Sequence, residues 1–83
     1  MALDVLYFAW MRERIGAPSE KVETAAPTVR DLVAELAARD DRHAAAFSDM
    51  GAVRVALDQE LADLDAPLSG VREVAFFPPM TGG

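Results

Sequence analysis

Cysteine is absent from the sequence, and histidine occurs once, at His43. Disulfide bonds and thiolate metal sites are therefore excluded, and a single histidine cannot anchor a zinc site. We predict that the chain binds no metal and no cofactor of its own, and that His43 is structural or solvated. Any sulfur handled by this protein must also sit somewhere other than on a cysteine, and the missing thiols suit a reducing cytoplasm.

Basic residues are scarce, because 8 lysines and arginines face 14 acidic residues and the net charge is −6. This sign is wrong for a protein that binds a phosphate backbone, so nucleic acid is not an expected partner. The acidity fits either solubility or attraction to a basic partner, and net charge alone does not separate the two.

Long hydrophobic stretches are missing as well. The longest apolar run, Val5 to Met11, is too short to cross a bilayer, and Asp4 stands where a secretory signal would carry a basic residue. The sequence therefore predicts a cytoplasmic protein that does not enter a membrane. Its 83 residues, 52% of them hydrophobic, allow one domain with a modest core.

Familiar catalytic motifs are not found. The serines lack the G-x-S-x-G context of a hydrolase, and no phosphate-binding loop is present. Asp58, Glu60, Asp63 and Asp65 cluster in the sequence, but without the glycine and the spacing of a calcium-binding loop. We interpret them as a solvated acidic surface.

The apolar pattern predicts one α+β domain. Thr28 is the expected N-cap of an amphipathic main helix that reaches Arg39, because apolar residues follow it at helical spacing. A short helical turn ending at Gly16 and a second short helix capped by Asp41 are also predicted. Strands are predicted over residues 3–8, 19–24, 53–57, 59–62 and 72–77. With the first and last strands side by side at the centre of one sheet, this order matches the β-grasp architecture.

The last residues carry the most functional information. Pro78 and Pro79 fix φ and lack N–H donors, so the final strand is expected to end near Phe77 and to continue as an extended arm. Gly82 and Gly83 carry no Cβ and can lie in a channel too narrow for side chains. We predict a β-grasp domain over residues 1–77 and a flexible tail over residues 78–83. The glycines alone leave open a frayed end without function.

Five aromatic residues lie on or beside the first and last strands: Tyr7, Phe8, Trp10, Phe76 and Phe77. Large aromatic side chains are most often buried. Because side chains alternate along a strand, however, some of these must face away from the helix, and an exposed aromatic patch usually marks a partner. Phe77 is the first candidate for such a contact.

Four parts of the chain carry a resemblance to a known family. They are Val5-Leu6-Tyr7-Phe8-Ala9 with Arg12-Glu13 and Gly16, the helix start at Thr28, Val55-Ala56-Leu57-Asp58-Gln59-Glu60, and Glu73-Val74-Ala75-Phe76-Phe77-Pro78-Pro79-Met80-Thr81-Gly82-Gly83. Over its whole length the chain resembles the small subunit of molybdopterin synthase, a ubiquitin-like sulfur carrier. The diproline before Gly-Gly is the most specific part of this similarity.

The resemblance implies a chemical role for the tail. An ATP-dependent activating enzyme would adenylate the carboxylate of Gly83 and replace the adenylate with sulfur, giving a thiocarboxylate. The tail would then enter the large subunit and pass its sulfur to a cyclic pyranopterin monophosphate, and two such deliveries would build the dithiolene of molybdopterin.

The resemblance also implies partners. Two small and two large subunits would form a heterotetramer, with the catalytic residues on the large subunit. The small subunit would contact its partner through an apolar patch of Phe8, Leu61 and Phe77, and through the tail residues Pro78, Pro79, Met80 and Thr81.

Two departures from the family pattern concern partner choice and turn geometry. Asp58 stands where the family commonly has asparagine, and residues 69–72 replace a more usual Asp-Gly-Asp turn. Two alternatives stay open: the same carrier chemistry in thiazole synthesis, cysteine synthesis or transfer-RNA thiolation, and a β-grasp interaction module without covalent chemistry.

Overall fold

A computed structural model describes residues 1–79 of the protein. Within these residues the elements are β1 (Ala2–Tyr7), α1 (Ala9–Ile15), β2 (Ser19–Glu23), α2 (Val29–Ala37), α3 (Asp41–Ala46), a short 3-10 turn (Met50–Ala52), β3 (Arg54–Leu57), β4 (Glu60–Ala62) and β5 (Glu73–Phe77). The sheet has the order β2-β1-β5-β3-β4, in which β1 and β5 run parallel and the other neighbours are antiparallel. The predicted pairing of the first and last strands is confirmed.

Alternation along the central strands explains the core. Leu3, Val5 and Tyr7 on β1 are each at most 1% exposed, as are Val74 and Phe76 on β5. These side chains point to one face of the sheet, where the helices cover them. Burying each large apolar side chain contributes about 1.5–3 kcal/mol, so this face is the main source of stability.

The main helix, α2, begins as predicted. Thr28 has extended backbone geometry and its side chain accepts a hydrogen bond from the backbone N–H of Asp31. The apolar stripe on this helix is buried: Val29, Leu32, Val33 and Leu36. The helix ends at Ala37 and does not reach Arg39, because the chain must become extended at Asp40 to start the next helix.

The cap of α3 was assigned to the wrong aspartate. Asp40, and not Asp41, has the extended backbone of an N-cap, and its carboxylate accepts the backbone N–H of His43 at 2.9 Å. Two adjacent aspartates are equivalent by composition, and only the backbone geometry selects between them.

Helix α1 is longer than the predicted turn. It starts at Ala9, one residue after β1, and ends at Ile15, where the C-cap Gly16 has a φ of 90° that favours glycine. Its start is hidden in the sequence because Phe8 precedes it without a side-chain cap. Within residues 1–79, helices of the length and apolarity needed to cross a membrane are not found.

Candidate functional site

An apolar row crosses the face of the sheet opposite the helices. In the strand register, Leu61 pairs with Ala56, Ala56 with Ala75, and Ala75 with Leu6. Residues paired in this way point to the same side of a sheet, so the four side chains share one face. Neither alanine belongs to the core cluster beneath the helices. We call this side of the sheet the outer face.

A groove of about 790 Å³ lies on the outer face. Phe8 follows the end of β1 and is 47% exposed, whereas Phe77 is half-buried at the end of β5. Pro78 and Pro79 continue the wall of the groove beyond β5. The strand ends at Phe77, as expected, because neither proline can donate a backbone hydrogen bond to a neighbouring strand.

The structure brings together some of the predicted contact residues but not all. Phe8, Phe77, Pro78 and Pro79 line the same groove. Leu61 is 78% exposed and lies on the outer face, but it does not line the groove. The remaining predicted site residues, Met80, Thr81, Gly82 and Gly83, lie outside the described residues.

Five further groove residues were missed from the sequence: Leu6, Ala9, Gln59, Glu73 and Ala75. The alternation of a strand could have placed Leu6 beside Phe8, and Glu73 beside Ala75 and Phe77. Ala9 and Gln59 both have positive φ, at 54° and 72°. Such values are uncommon outside glycine, and nothing in the local sequence predicts them.

His43 lies away from the groove in a network of side chains. It is 6% exposed, and both ring nitrogens face carboxylates: Nε2 lies 2.7 Å from Glu20 and Nδ1 lies 2.8 Å from Asp40. The hydroxyl of Tyr7 donates to the same Glu20 at 2.7 Å, and Arg39 forms an ion pair with it. The interpretation of His43 as a structural residue therefore holds.

The network shifts the ionisation of its members. Burial favours neutral His43, but hydrogen bonds to Glu20 and Asp40 outweigh burial and raise its pKa. Burial alone would raise the pKa of Glu20, yet hydrogen bonds from His43 and Tyr7 lower it. The backbone and ring N–H groups of His43 lower the pKa of Asp40, and burial together with Glu20 raises that of Tyr7. The charged imidazolium is thus favoured, since only it can donate from both nitrogens.

Asp63 and Asp65, two of the clustered acidic residues between β3 and β5, take part in contacts within the chain. Asp65 forms an ion pair with Arg30 at 3.1 Å, and Asp63 accepts the backbone N–H of Asp65. In the described part of the chain, groups of three or more metal-ligating side chains do not come together.

Comparison with known proteins identifies the family. The model of the ThiS family matches residues 5–83. The chain belongs to the ThiS family. It is 44% identical over 81 residues to the molybdopterin synthase sulfur carrier subunit of Escherichia coli K12 and 38% identical over 81 residues to that of Haemophilus influenzae, in each case covering 98% of this chain and 99% of the relative.

A solved structure supports the same assignment. A putative molybdopterin converting factor subunit 1 from Pyrococcus furiosus superposes with a TM-score of 0.73 at 26% identity, covering 96% of this chain and 99% of that one. Together with the mixed sheet order, this likeness confirms the predicted β-grasp fold of this member of the ThiS family.

Asp58 and the turn of residues 69–72 are the two departures of this ThiS-family chain from the expected pattern, and they contact each other. One carboxylate oxygen of Asp58 accepts the backbone N–H of Arg72 at 3.1 Å and that of Glu73 at 2.9 Å. The backbone N–H of Asp58 in turn donates to the carbonyl of Glu73 at 2.9 Å. Asp58 therefore anchors the turn of residues 69–72 at the point where β5 begins.

Proposed function

We propose that this chain is a sulfur carrier of molybdopterin biosynthesis and acts as the small subunit of molybdopterin synthase. The observation that carries this proposal is the near full-length similarity, at 44% identity, to a relative named as that subunit. The family match extends through Gly83, the residue that the proposed chemistry requires.

In the proposed reaction, the carboxylate of Gly83 is the group that changes. With a pKa of about 3.5, a terminal carboxylate is an anion at neutral pH. An activating enzyme joins one of its oxygens to the α-phosphorus of ATP, and pyrophosphate leaves. Hydrosulfide from the sulfur donor then attacks the acyl carbon, the bond to the AMP oxygen breaks, and loss of the proton on sulfur leaves a thiocarboxylate. The carrier needs no cysteine in this scheme, and it has none.

The groove and the end of β5 support this proposal. The groove presents Phe8 and Phe77 to a partner, and β5 at the centre of the sheet leads directly into Pro78 and Pro79. Prolines restrict the chain to extended conformations. In the proposed complex, the large subunit covers the groove and receives residues 80–83 into its active site.

The assembly and its location follow from the same proposal. Two carriers and two large subunits form a heterotetramer, and the large subunit supplies the catalytic residues. The carrier binds no cofactor and meets ATP only on the activating enzyme. These steps take place in the cytoplasm. The chain has no cysteine and so forms no disulfide that would require an oxidising compartment.

Intact mass spectrometry tests the carrier chemistry. Incubation with a cognate activating enzyme, ATP and a sulfur donor should raise the mass by the difference between sulfur and oxygen, and fragmentation should place that change on Gly83. Adding cyclic pyranopterin monophosphate and the large subunit should return the mass to its starting value. Sulfur found elsewhere in the chain, or no sulfur under conditions that load a relative, would refute the proposal.

A variant with one alanine appended after Gly83 is the matched control. It retains every described residue but moves the carboxylate off the terminal glycine, so it should fold normally and remain unloaded. Normal loading without sulfur transfer to the pyranopterin would instead favour a carrier of another pathway. Equal partner binding with no loading of either protein would favour a plain interaction module.

A further inference from the structure

Three carboxylates stand side by side at one end of the outer face. Asp4 on β1 pairs in register with Glu73 on β5. Asp58 lies on the other side of Glu73. Its carboxylate accepts the backbone N–H of Glu73 at 2.9 Å, and its own backbone N–H donates to the carbonyl of Glu73 at 2.9 Å. The outer face therefore has an apolar centre and an acidic end.

Two of these carboxylates already have partners. Asp4 forms an ion pair with Lys21 at 3.0 Å, and Asp58 accepts two backbone N–H groups. Glu73 differs, because no ion pair or side-chain hydrogen bond to its carboxylate is found among residues 1–79. Its charge is thus available to a binding partner.

Glu73 also lies at the junction of the acidic end and the groove. It is half-buried and lines the groove together with Ala75 and Phe77, which follow it on the same face of β5. We propose that Glu73 receives a lysine or arginine of the large subunit when that subunit covers the groove. The contact fixes the direction in which the partner lies along β5.

This inference rests on the proposed function for the identity of the partner and on charge complementarity for its chemistry. A net charge of −6 draws a basic surface toward the carrier from any side, but it does not orient that surface. A single carboxylate at one end of an apolar groove does, because the reverse orientation would leave it unpaired in a desolvated interface.

The test compares the affinity of the wild-type chain and Glu73→Gln for the purified large subunit by calorimetry. The substitution keeps the size of the side chain and removes its charge. We expect about fivefold weaker binding at about 0.05 M NaCl, with the difference shrinking at about 0.5 M as salt screens the ion pair. Thermal unfolding of the free chain should be unchanged, since the carboxylate of Glu73 has no ion pair or side-chain hydrogen bond among residues 1–79 and its backbone hydrogen bonds are kept.

Glu13→Gln is the matched control, because Glu13 is an exposed residue of α1 and its loss changes the net charge equally. An equal loss of affinity in both variants would show that only overall charge matters and would overturn the inference. A wild-type affinity for Glu73→Gln, or a loss that salt does not reduce, would overturn it as well. In those cases normal sulfur loading at Gly83 would leave the proposed function standing, whereas no binding by the wild-type chain would refute both.

Discussion

At the scale of single residues, Phe76 and Phe77 show how a strand divides structure from function. They are adjacent in the sequence, yet Phe76 is fully buried and packs against Tyr7 and Phe47, while Phe77 lines the groove on the opposite side of the sheet. Alternation alone produces this difference. It predicts that the two phenylalanines have separate roles.

Phe77→Ala should therefore affect binding more than folding. We expect large-subunit binding to weaken by about 2 kcal/mol, the scale for truncating an aromatic anchor at an interface. The free energy of unfolding should fall by less than about 2 kcal/mol, because the side chain is only half-buried. Calorimetric titration and urea unfolding of the same variant give both numbers.

Phe76→Ala serves as the comparison for Phe77→Ala. It removes a fully buried ring and should cost the free domain about 3–5 kcal/mol. A Phe77→Ala variant as unstable as Phe76→Ala, yet with undiminished affinity when folded, would assign Phe77 to the core.

Asp58 is the second residue from whose surroundings we predict the effect of a substitution on stability. It has a φ of 50° and accepts two backbone N–H groups from the start of β5. Asp58→Ala loses the acceptor and places alanine in a left-handed conformation, so we expect a loss of about 2 kcal/mol in urea unfolding. Asp58→Asn keeps an acceptor oxygen and tolerates this backbone, and should lose less than about 1 kcal/mol. Equal losses in the two variants would contradict the role given to the side chain.

At the scale of elements, the His43 network joins three parts of the fold. Tyr7 belongs to β1, Glu20 to β2 and His43 to α3, while Asp40 caps α3 and Arg39 precedes it. Helix α3 also packs against α1 and α2. The network adds a polar link between this helix and the sheet.

The stability of the protein should depend on pH through this link. A raised pKa of His43 means that its contribution is complete below about pH 6.5 and is lost as pH rises through the folded value. The lowered pKa values of Glu20 and Asp40 give contributions that are present above about pH 4.5 and are lost as pH falls. Urea unfolding across pH should show the greatest benefit of the network between these limits.

His43→Gln isolates the alkaline limb of this profile. The chain has one histidine and no cysteine, so this substitution removes its single imidazole from the pH profile. We expect the decline in stability above about pH 6.5 to flatten in the variant. An unchanged slope, or an NMR titration of His43 with an ordinary pKa, would show that the two carboxylates do not hold the imidazolium.

At the scale of the whole molecule, local sequence patterns predict the helices and strands. The same patterns do not predict the contacts between residues that are far apart in the sequence. The buried stripe of α2 and the apolar composition of β1 and β5 are visible in short windows of sequence. The link between His43 and Glu20 joins residues 23 positions apart, and that between Asp58 and Glu73 joins residues 15 apart. Neither pair has a local signal, because each depends on how the sheet brings distant segments together. Within the groove, strand alternation makes Leu6, Glu73, Ala75 and Phe77 accessible to prediction, and the family resemblance supplies Phe8, Pro78 and Pro79. Ala9 and Gln59 have no such signal, because their positive φ values are set by the fold.

The division of the chain into a domain over residues 1–77 and a tail over residues 78–83 makes the last prediction. All buried core residues of the described structure lie between Leu3 and Phe76. A truncation after Pro79 should therefore leave the melting temperature within about 2 °C of the wild-type value, since a loss of 1 kcal/mol would shift a domain of this size by about 4–8 °C.

The same truncation removes Gly83, and with it the only group that the proposed chemistry uses. Sulfur loading should be abolished, while binding through the groove should persist in calorimetry because Phe8, Phe77 and both prolines remain. A truncation that begins at Phe76 is the opposite control, since it removes a fully buried ring and should unfold the domain. A large drop in melting temperature after loss of residues 80–83 alone would mean that the tail contributes to the packed structure, and the separation of a folded carrier from a reactive arm would be wrong.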